Sequence, residues 1–288
     1  MRLSERALKD QLYDIVENEY RLPEQADVMA RTMEMLPHIG SPVSELRDDL
    51  IYMILAKWVM AELFTAEQLQ ALLTIYTDDA HLFYKIGERG TDSVFTRSFS
   101  MLGIPPILAV HRKRPFLTQT ELRQLKTRVL DYLAQEQDLR GYVTEGDKGW
   151  AHAVAHTADC LDELAQCPEL NGADLLDILQ AIRAKIGAPL TVYVYEEDER
   201  LVYPALACLQ RKLLREAEVK EWLAGFAPLC QGTEPFPDVY RQALNVKLFL
   251  RSLYFRAKKP ETVEAIGEKS AHALRDLVDN VLGEIARF

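Results

Sequence analysis

His152, His156, Asp159 and Glu163 stand at positions i, i+4, i+7 and i+11. At about 3.6 residues per turn these four fall on one side of a helix, and Val154, Ala158, Leu161 and Ala165 take the opposite side. Imidazoles and carboxylates on one face can move protons, hold a cation or, beside arginine, donate hydrogen bonds to an anion. Two histidines at H-x-x-x-H spacing with Asp159 a turn further on form a ligand set suited to Zn or Fe. Ala153, however, occupies the place of the glutamate in the H-E-x-x-H motif, so metalloprotease chemistry is not expected. A general base for a metal site is then sought in Asp147 or Glu197. Cys160 points only partly toward the histidines and is a poor nucleophile.

The elements that must position these residues read as helices. Apolar residues recur at a spacing of three to four almost throughout. The only alternating run, Val192-Tyr193-Val194-Tyr195, is cut short by Glu196-Glu197-Asp198. Helix starts are marked by Ser41-Pro42, by Thr65 with Gln68, by Thr118 with Glu121, and by Pro260. Five segments align as repeats: Leu50–Val59, Ser93–Leu102, His152–Leu161, Arg200–Leu209 and Lys247–Arg256. Asp48, Asp92, Asp147, Asp198 and Asn245 serve as their helix starts, placing the repeats near residues 46, 92, 148, 198 and 245. Each leads to a second helix: Thr65–Tyr76, Thr118–Gln135, Gly172–Ile186, Arg215–Phe226 and Pro260–Ile285. The expected fold is therefore all-α, an α-α superhelical solenoid resembling HEAT or armadillo arrays, forming one domain over 1–288 with residues 1–40 as an N-terminal cap. A two-domain division, if present, falls at the Gly141–Gly149 loop.

Aligning the first helices places Arg97, His152, His156, Arg200, Lys247 and Arg251 on a common ladder, a basic strip edged by Asp147, Asp159, Glu197 and Asp198. Three readings compete for it. The arginines and histidines pair with acidic helix starts and fix the stacking. Or the strip is a groove for an anionic small molecule or acidic peptide segment, in which the arginines donate paired hydrogen bonds. Or His152, His156 and Asp159 hold Zn or Fe, against which neighbouring Arg97 and Arg200 argue by repulsion. Trp150 beside His152 either walls a ligand site or anchors a helix start. Tyr142 and Tyr193 to Tyr203 either stack a ligand or serve core and rim. The run His111-Arg112-Lys113-Arg114 reads as a short solvated loop.

The formal charge of −10, from 34 Lys plus Arg against 44 Asp plus Glu, argues against general nucleic-acid binding. No stretch approaches the roughly 18 uncharged apolar residues of a membrane span. Glu5, Asp10 and Asp14 interrupt the N-terminal segment, unlike a signal peptide, which leads to the expectation of a cytoplasmic protein. Cys160, Cys167, Cys208 and Cys230 are too few and scattered for a disulfide framework and read as reduced thiols. No G-x-G-x-x-G, G-x-x-x-x-G-K-[ST] or G-x-S-x-G occurs, so neither nucleotide-loop nor α/β-hydrolase chemistry is supported.

Arg140-Gly-Tyr-Val143, the string Lys148-Gly-Trp-Ala-His-Ala-Val-Ala-His-Thr-Ala-Asp159 and Glu197-Asp-Glu-Arg-Leu201 resemble a bacterial family, domain of unknown function 2785, across roughly residues 45–257. The resemblance implies a bacterial protein without an established activity and adds no catalytic residue. The expected function is a binding or interaction module whose inner groove, built from Arg97, Trp150, His152, His156, Asp159, Arg200, Lys247 and Arg251, takes an anionic small molecule or acidic peptide and needs no cofactor. The alternative is a hydrolase using His152 and His156, with or without a bound metal.

Overall fold

The computed structural model describes residues 5–232 and 235–285. In chain order the helices are α1 (Glu5–Glu17), α2 (Val28–Met35), a π-helical stretch (Glu45–Tyr52) running into α3 (Met53–Met60), α4 (Ala66–Tyr76), α5 (Ser93–Leu102), α6 (Ile104–Lys113) and α7 (Gln119–Gln135). A two-residue hairpin follows, β1 (Tyr142–Val143) with β2 (Gly149–Trp150), and then α8 (Ala153–Gln166), α9 (Gly172–Ile186), α10 (Glu197–Gln210), α11 (Glu216–Ala224), α12 (Asp238–Arg256), α13 (Pro260–Ile266) and α14 (Glu268–Ile285). The fold is helical apart from the hairpin, whose antiparallel register sets Tyr142 against Trp150 and Val143 against Gly149.

Local chemistry explains many of these ends. Thr65 and Gln68 close a capping box at α4, Asn171 and Asp174 another at α9, and Thr118 and Glu121 exchange the same kind of bonds ahead of α7. Pro105 and Pro106 occupy the first turn of α6, where a missing N–H costs no helical bond.

The chain divides into two compact units: Met1–Glu121 with Gln135–Cys160, and Leu122–Ala134 with Leu161–Phe288. The Gly141–Gly149 segment lies inside the first. There α3 packs on α6, α5 and α1 meet the π-helical stretch, and α4 meets α6. Trp58 is buried in this core and donates through Nε1 to the Tyr20 carbonyl at 2.8 Å. The stretch Ser93–Lys113 is, among the described residues, the one long and apolar enough to cross a membrane, and it is 72% buried inside the protein.

In the second unit α9 packs on α10, α10 on α12 and α12 on α14, while α11 meets α9 and α14. Its core is aromatic: Trp222, Phe226 and Phe249 lie with ring centroids 5.4 to 6.3 Å apart, and Trp222 Nε1 donates to the Leu179 carbonyl at 2.7 Å. Burying rings of this size contributes about 1.5–3 kcal/mol each.

Several sequence expectations are corrected. Asn245 does not start a helix but lies inside α12, which begins at Asp238; its side chain accepts from Tyr193 N and donates to the Thr191 carbonyl, pinning the loop before α10. Asp147 sits exposed in the hairpin turn, and Trp150 lies on β2 rather than at a helix start. The pattern 260–285 is broken at Gly267, whose φ of 91° is left-handed, so it forms two helices. His111 is fully buried at the end of α6, where Nδ1 accepts from Phe116 N and Leu117 N at 3.0 and 3.1 Å; it is a cap, not part of a solvated loop.

Candidate functional site

In the first unit the hairpin brings an aromatic and imidazole array together. Tyr142 meets Trp150 edge-on at 4.9 Å between centroids, Trp150 stacks on His152 at 4.5 Å with an interplanar angle of 17°, and His152 meets His156 at 6.0 Å. Beyond His156 lies Phe99, edge-on at 5.2 Å. Tyr142 and Trp150 are exposed, His152 is half-buried and His156 is buried. His156 Nδ1 faces the Ser98 carbonyl at 3.1 Å, so in the neutral ring Nδ1 carries the proton and Nε2 the lone pair.

His152 does not belong to α8 itself. Its carbonyl accepts from His156 N at 3.0 Å, closing the helix's first turn, while its own N–H donates to Arg140 and Gly141 carbonyls. The backbone there is left-handed, with φ of 46°. Such a φ is uncommon outside glycine, although histidine adopts it more readily than most residues, and Glu62, Lys85, Glu196 and Lys212 share it among the described residues. The neighbouring Gly146, Asp147 and Gly149 also have positive φ. At Gly149 a Cβ would come within 2.8 Å of Ser44 Cβ, so only glycine lets the hairpin lie this close to the π-helical stretch.

Arg47, on that stretch, anchors the array. It is fully buried, its guanidinium lies 4.2 and 4.6 Å from the ring centroids of Phe95 and Phe99, and it donates to the carbonyls of Ser41, Lys148 and Trp150. Its Nε meets no hydrogen-bond partner among the described residues. Burial pulls the guanidinium down to about 10, against the opposing influence of Asp48, Asp92 and Asp49. Contacts thus run in a closed circuit: Arg47 to Phe99, Phe99 to His156, His156 to His152, His152 to Trp150, and from the Trp150 carbonyl back to Arg47.

Of the eight groove residues expected from sequence, this unit holds Arg97, Trp150, His152, His156 and Asp159. Trp150, His152 and His156 come together; Asp159 is half-buried on α8. Arg97 does not line an open groove. Its side chain is fully buried, with Nε and Nη2 on the two Glu136 oxygens at 2.5 and 2.9 Å, and further bonds to Ser93 and the carbonyls of Tyr84, Lys85 and Glu88. The second unit holds Arg200, half-buried on α10, with Lys247 half-buried and Arg251 exposed on the adjacent α12. Its carboxylates Glu197 and Asp198 are buried, which raises both above the ordinary range; Tyr195 N bonds the first and Ser252 Oγ the second. Cys160, Cys167, Cys208 and Cys230 are all buried free thiols.

The sequence reading missed Arg47, Phe95 and Phe99. Arg47 follows Glu45-Leu46 and precedes Asp48-Asp49, and in that setting it looks like one charge on a solvated helix face.

The fold and array define an all-helical protein with a hairpin-borne aromatic–histidine face. A family described as Protein of unknown function (DUF2785) matches residues 82–255, more than half of the chain, and the chain belongs to this family. The matched span includes the hairpin, His152 and His156. No curated protein and no solved structure matches the chain.

Proposed function

We propose that this chain is a binding protein whose Tyr142, Trp150, His152 and His156 face takes an anionic small molecule bearing a planar ring. One observation carries the reading: the His152 imidazole is held by a left-handed backbone against the half-exposed Trp150 indole, 4.5 Å away. The positive φ fixes the imidazole against the exposed indole, which supports reading the pair as a binding surface. The indole and phenol offer flat surfaces for stacking, and the half-buried His152 ring is the one that offers an N–H donor for a carboxylate or phosphate. Arg47 sets a buried positive charge, contacted through carbonyls and ring faces, beneath the same hairpin.

The helical-repeat reading is retained for the second unit, where α9, α10, α12 and α14 succeed one another as packed neighbours. There Arg200, Lys247 and Arg251 are the candidates for an acidic peptide segment.

A second reading, a hydrolase, draws on the tautomer of His156. With Nδ1 directed at Ser98 O, Nε2 is the atom that would ligate Zn or Fe or accept a proton from water.

Trp58 and Trp222 are each 1% exposed and Trp150 is 37% exposed, so fluorescence quenching by a solute reports on Trp150. Titration with phenyl phosphate and benzoate is expected to give a saturable change. His152→Gly, which suits the backbone but deletes the ring, is expected to weaken it about tenfold. A response that never saturates, or that survives His152→Gly unchanged, sinks the binding reading. Near-stoichiometric Zn or Fe in protein purified without chelator, lost in His152→Ala/His156→Ala, promotes the hydrolase.

A further inference from the structure

The second unit carries a helix face whose composition runs against that of the chain. From Val239 to Pro260 there is no Asp or Glu and there are six Lys plus Arg, in a chain with a formal charge of −10. Helix α12 occupies most of this span, and its Val246, Phe249, Leu250 and Leu253 face the core. At about 100° per residue the opposite side presents Tyr240, Leu244, Lys247, Leu248, Arg251 and Phe255, a row of rings, leucines and cations. Tyr240 is 57% and Phe255 61% exposed, so neither ring belongs to the core.

The cations divide by partner. Arg241 pairs with Asp238 at 3.0 Å, and Arg256 pairs with Glu199. Arg251, Lys258 and Lys259 are exposed and enter no ion pair among the described residues. Lys258 instead sets its Nζ 4.5 Å from the Tyr254 ring centroid and 5.6 Å from that of Phe255, and these two rings meet edge-on at 5.6 Å. The end of the helix therefore gathers two rings and an ammonium on one side.

We infer that this face rests on an anionic lipid surface, with Tyr240 and Phe255 entering the boundary between headgroups and acyl chains and Arg251, Lys258 and Lys259 held at the phosphates. Exposed rings among lysine and arginine suit that boundary, because the ring finds apolar depth while the cation stays at headgroup level. The helix lies along the bilayer and does not cross it. An acidic peptide, the partner considered above for Lys247 and Arg251, docks best in a groove that buries its apolar side. A single helix surface is convex, and rings that protrude from it need a partner they can enter. The negative charge of the chain as a whole does not oppose this, since exposed charges more than about 8 Å away are largely screened at physiological salt. No residue of the hairpin face enters the inference, so the two readings fail separately.

Sedimentation of the full chain with vesicles of phosphatidylcholine, alone or mixed with phosphatidylglycerol, tests it. Binding is expected only to the mixed vesicles and is expected to weaken as salt rises. Arg251→Glu/Lys258→Glu and Phe255→Ser, all at exposed positions, are each expected to lower the partition constant about tenfold while leaving thermal unfolding unchanged. Phe255→Trp adds an indole to the face: its emission is expected to move to the blue with mixed vesicles and to be quenched by brominated acyl chains, over the baseline that Trp150 gives in the parent. Equal sedimentation with neutral vesicles, none with mixed ones, binding that survives the charge reversal, or an added indole that stays unquenched while the protein sediments each overturns the inference. So does tighter binding to polyglutamate than to mixed vesicles, which assigns the face to an acidic peptide, or a concentration-dependent dimer that Phe255→Ser dissolves, which assigns it to a second copy.

Discussion

Among the described residues of the first unit, Arg47 and Arg97 are the two fully buried arginines, and they are housed in opposite ways. Arg97 is neutralised by a two-pronged pair with Glu136, itself 1% exposed, inside a network that continues through Asp138 to Arg140 and to Gly90 N. Arg47 rests between two phenyl rings and reaches three main-chain carbonyls. The first arrangement cancels a charge in order to hold the loop before α5. The second keeps a charge and sets it under the hairpin that carries Trp150 and His152. A buried arginine is therefore not one kind of feature: its partners decide whether its charge is cancelled by a carboxylate or kept among carbonyls and rings.

The largest effect expected from this contrast is at Glu136. Glu136→Gln strands the Arg97 charge in the interior and is expected to cost about 3–5 kcal/mol, read by denaturant unfolding. A loss below about 1 kcal/mol breaks the comparison, because Arg97 would then be solvated after all. Arg47→Met comes next. It keeps an unbranched stem on Phe95 and Phe99, removes a charge already unfavourably desolvated, and leaves the Lys148 and Trp150 carbonyls to find water. The expected cost is about 1–3 kcal/mol, with the Trp150 emission moving to the red as the hairpin loosens; unchanged emission would detach Arg47 from the array.

The smallest effect is expected at Asp48. Burial holds its carboxyl above the ordinary range although Arg47 pulls the other way. The folded state thus binds that proton more tightly than the unfolded chain, so the stability it contributes is present at low pH and is lost as pH rises through the raised folded value. Asp48→Asn is expected to flatten this fall and to raise the melting temperature at neutral pH relative to the parent. A lower melting temperature at neutral pH would show Asp48 to be the counter-charge of Arg47, which erases the difference between the two arginines.

How much of this was legible in the residues depends on whether a local signal existed. Helix α9 was readable end to end because Asn171 and Asp174 cap it and Gly187 stops it. Helix α6 was not: no start was assigned to it, although Pro105 and Pro106 occupy its first turn. The hairpin was hidden because two-residue strands leave no alternation, and its turn rests on positive φ at Gly146, Asp147 and Gly149. The π-helical stretch lies outside any 3.6-residue pattern, so Arg47 was assigned no inward direction. His152 and His156 were correctly associated, but for a reason that needs amending: His152 precedes the helix, and the i, i+4 relation holds because its carbonyl closes the first turn. Arg97 was misplaced because Glu136 is 39 residues away, and long-range ion pairs have no periodicity to reveal them.

The left-handed backbone at His152 also shapes how this position drifts under mutation. Glycine, asparagine and aspartate are the residues that tolerate such a φ best, and histidine codons reach those of asparagine and aspartate by a single base change. Replacements that spare the fold are thus close at hand, and they delete the imidazole while leaving the chain intact. In this family, a lineage released from selection on the hairpin face would keep its helices and acquire Asn or Asp here, whereas Val or Ile at the same position would register as a folding defect.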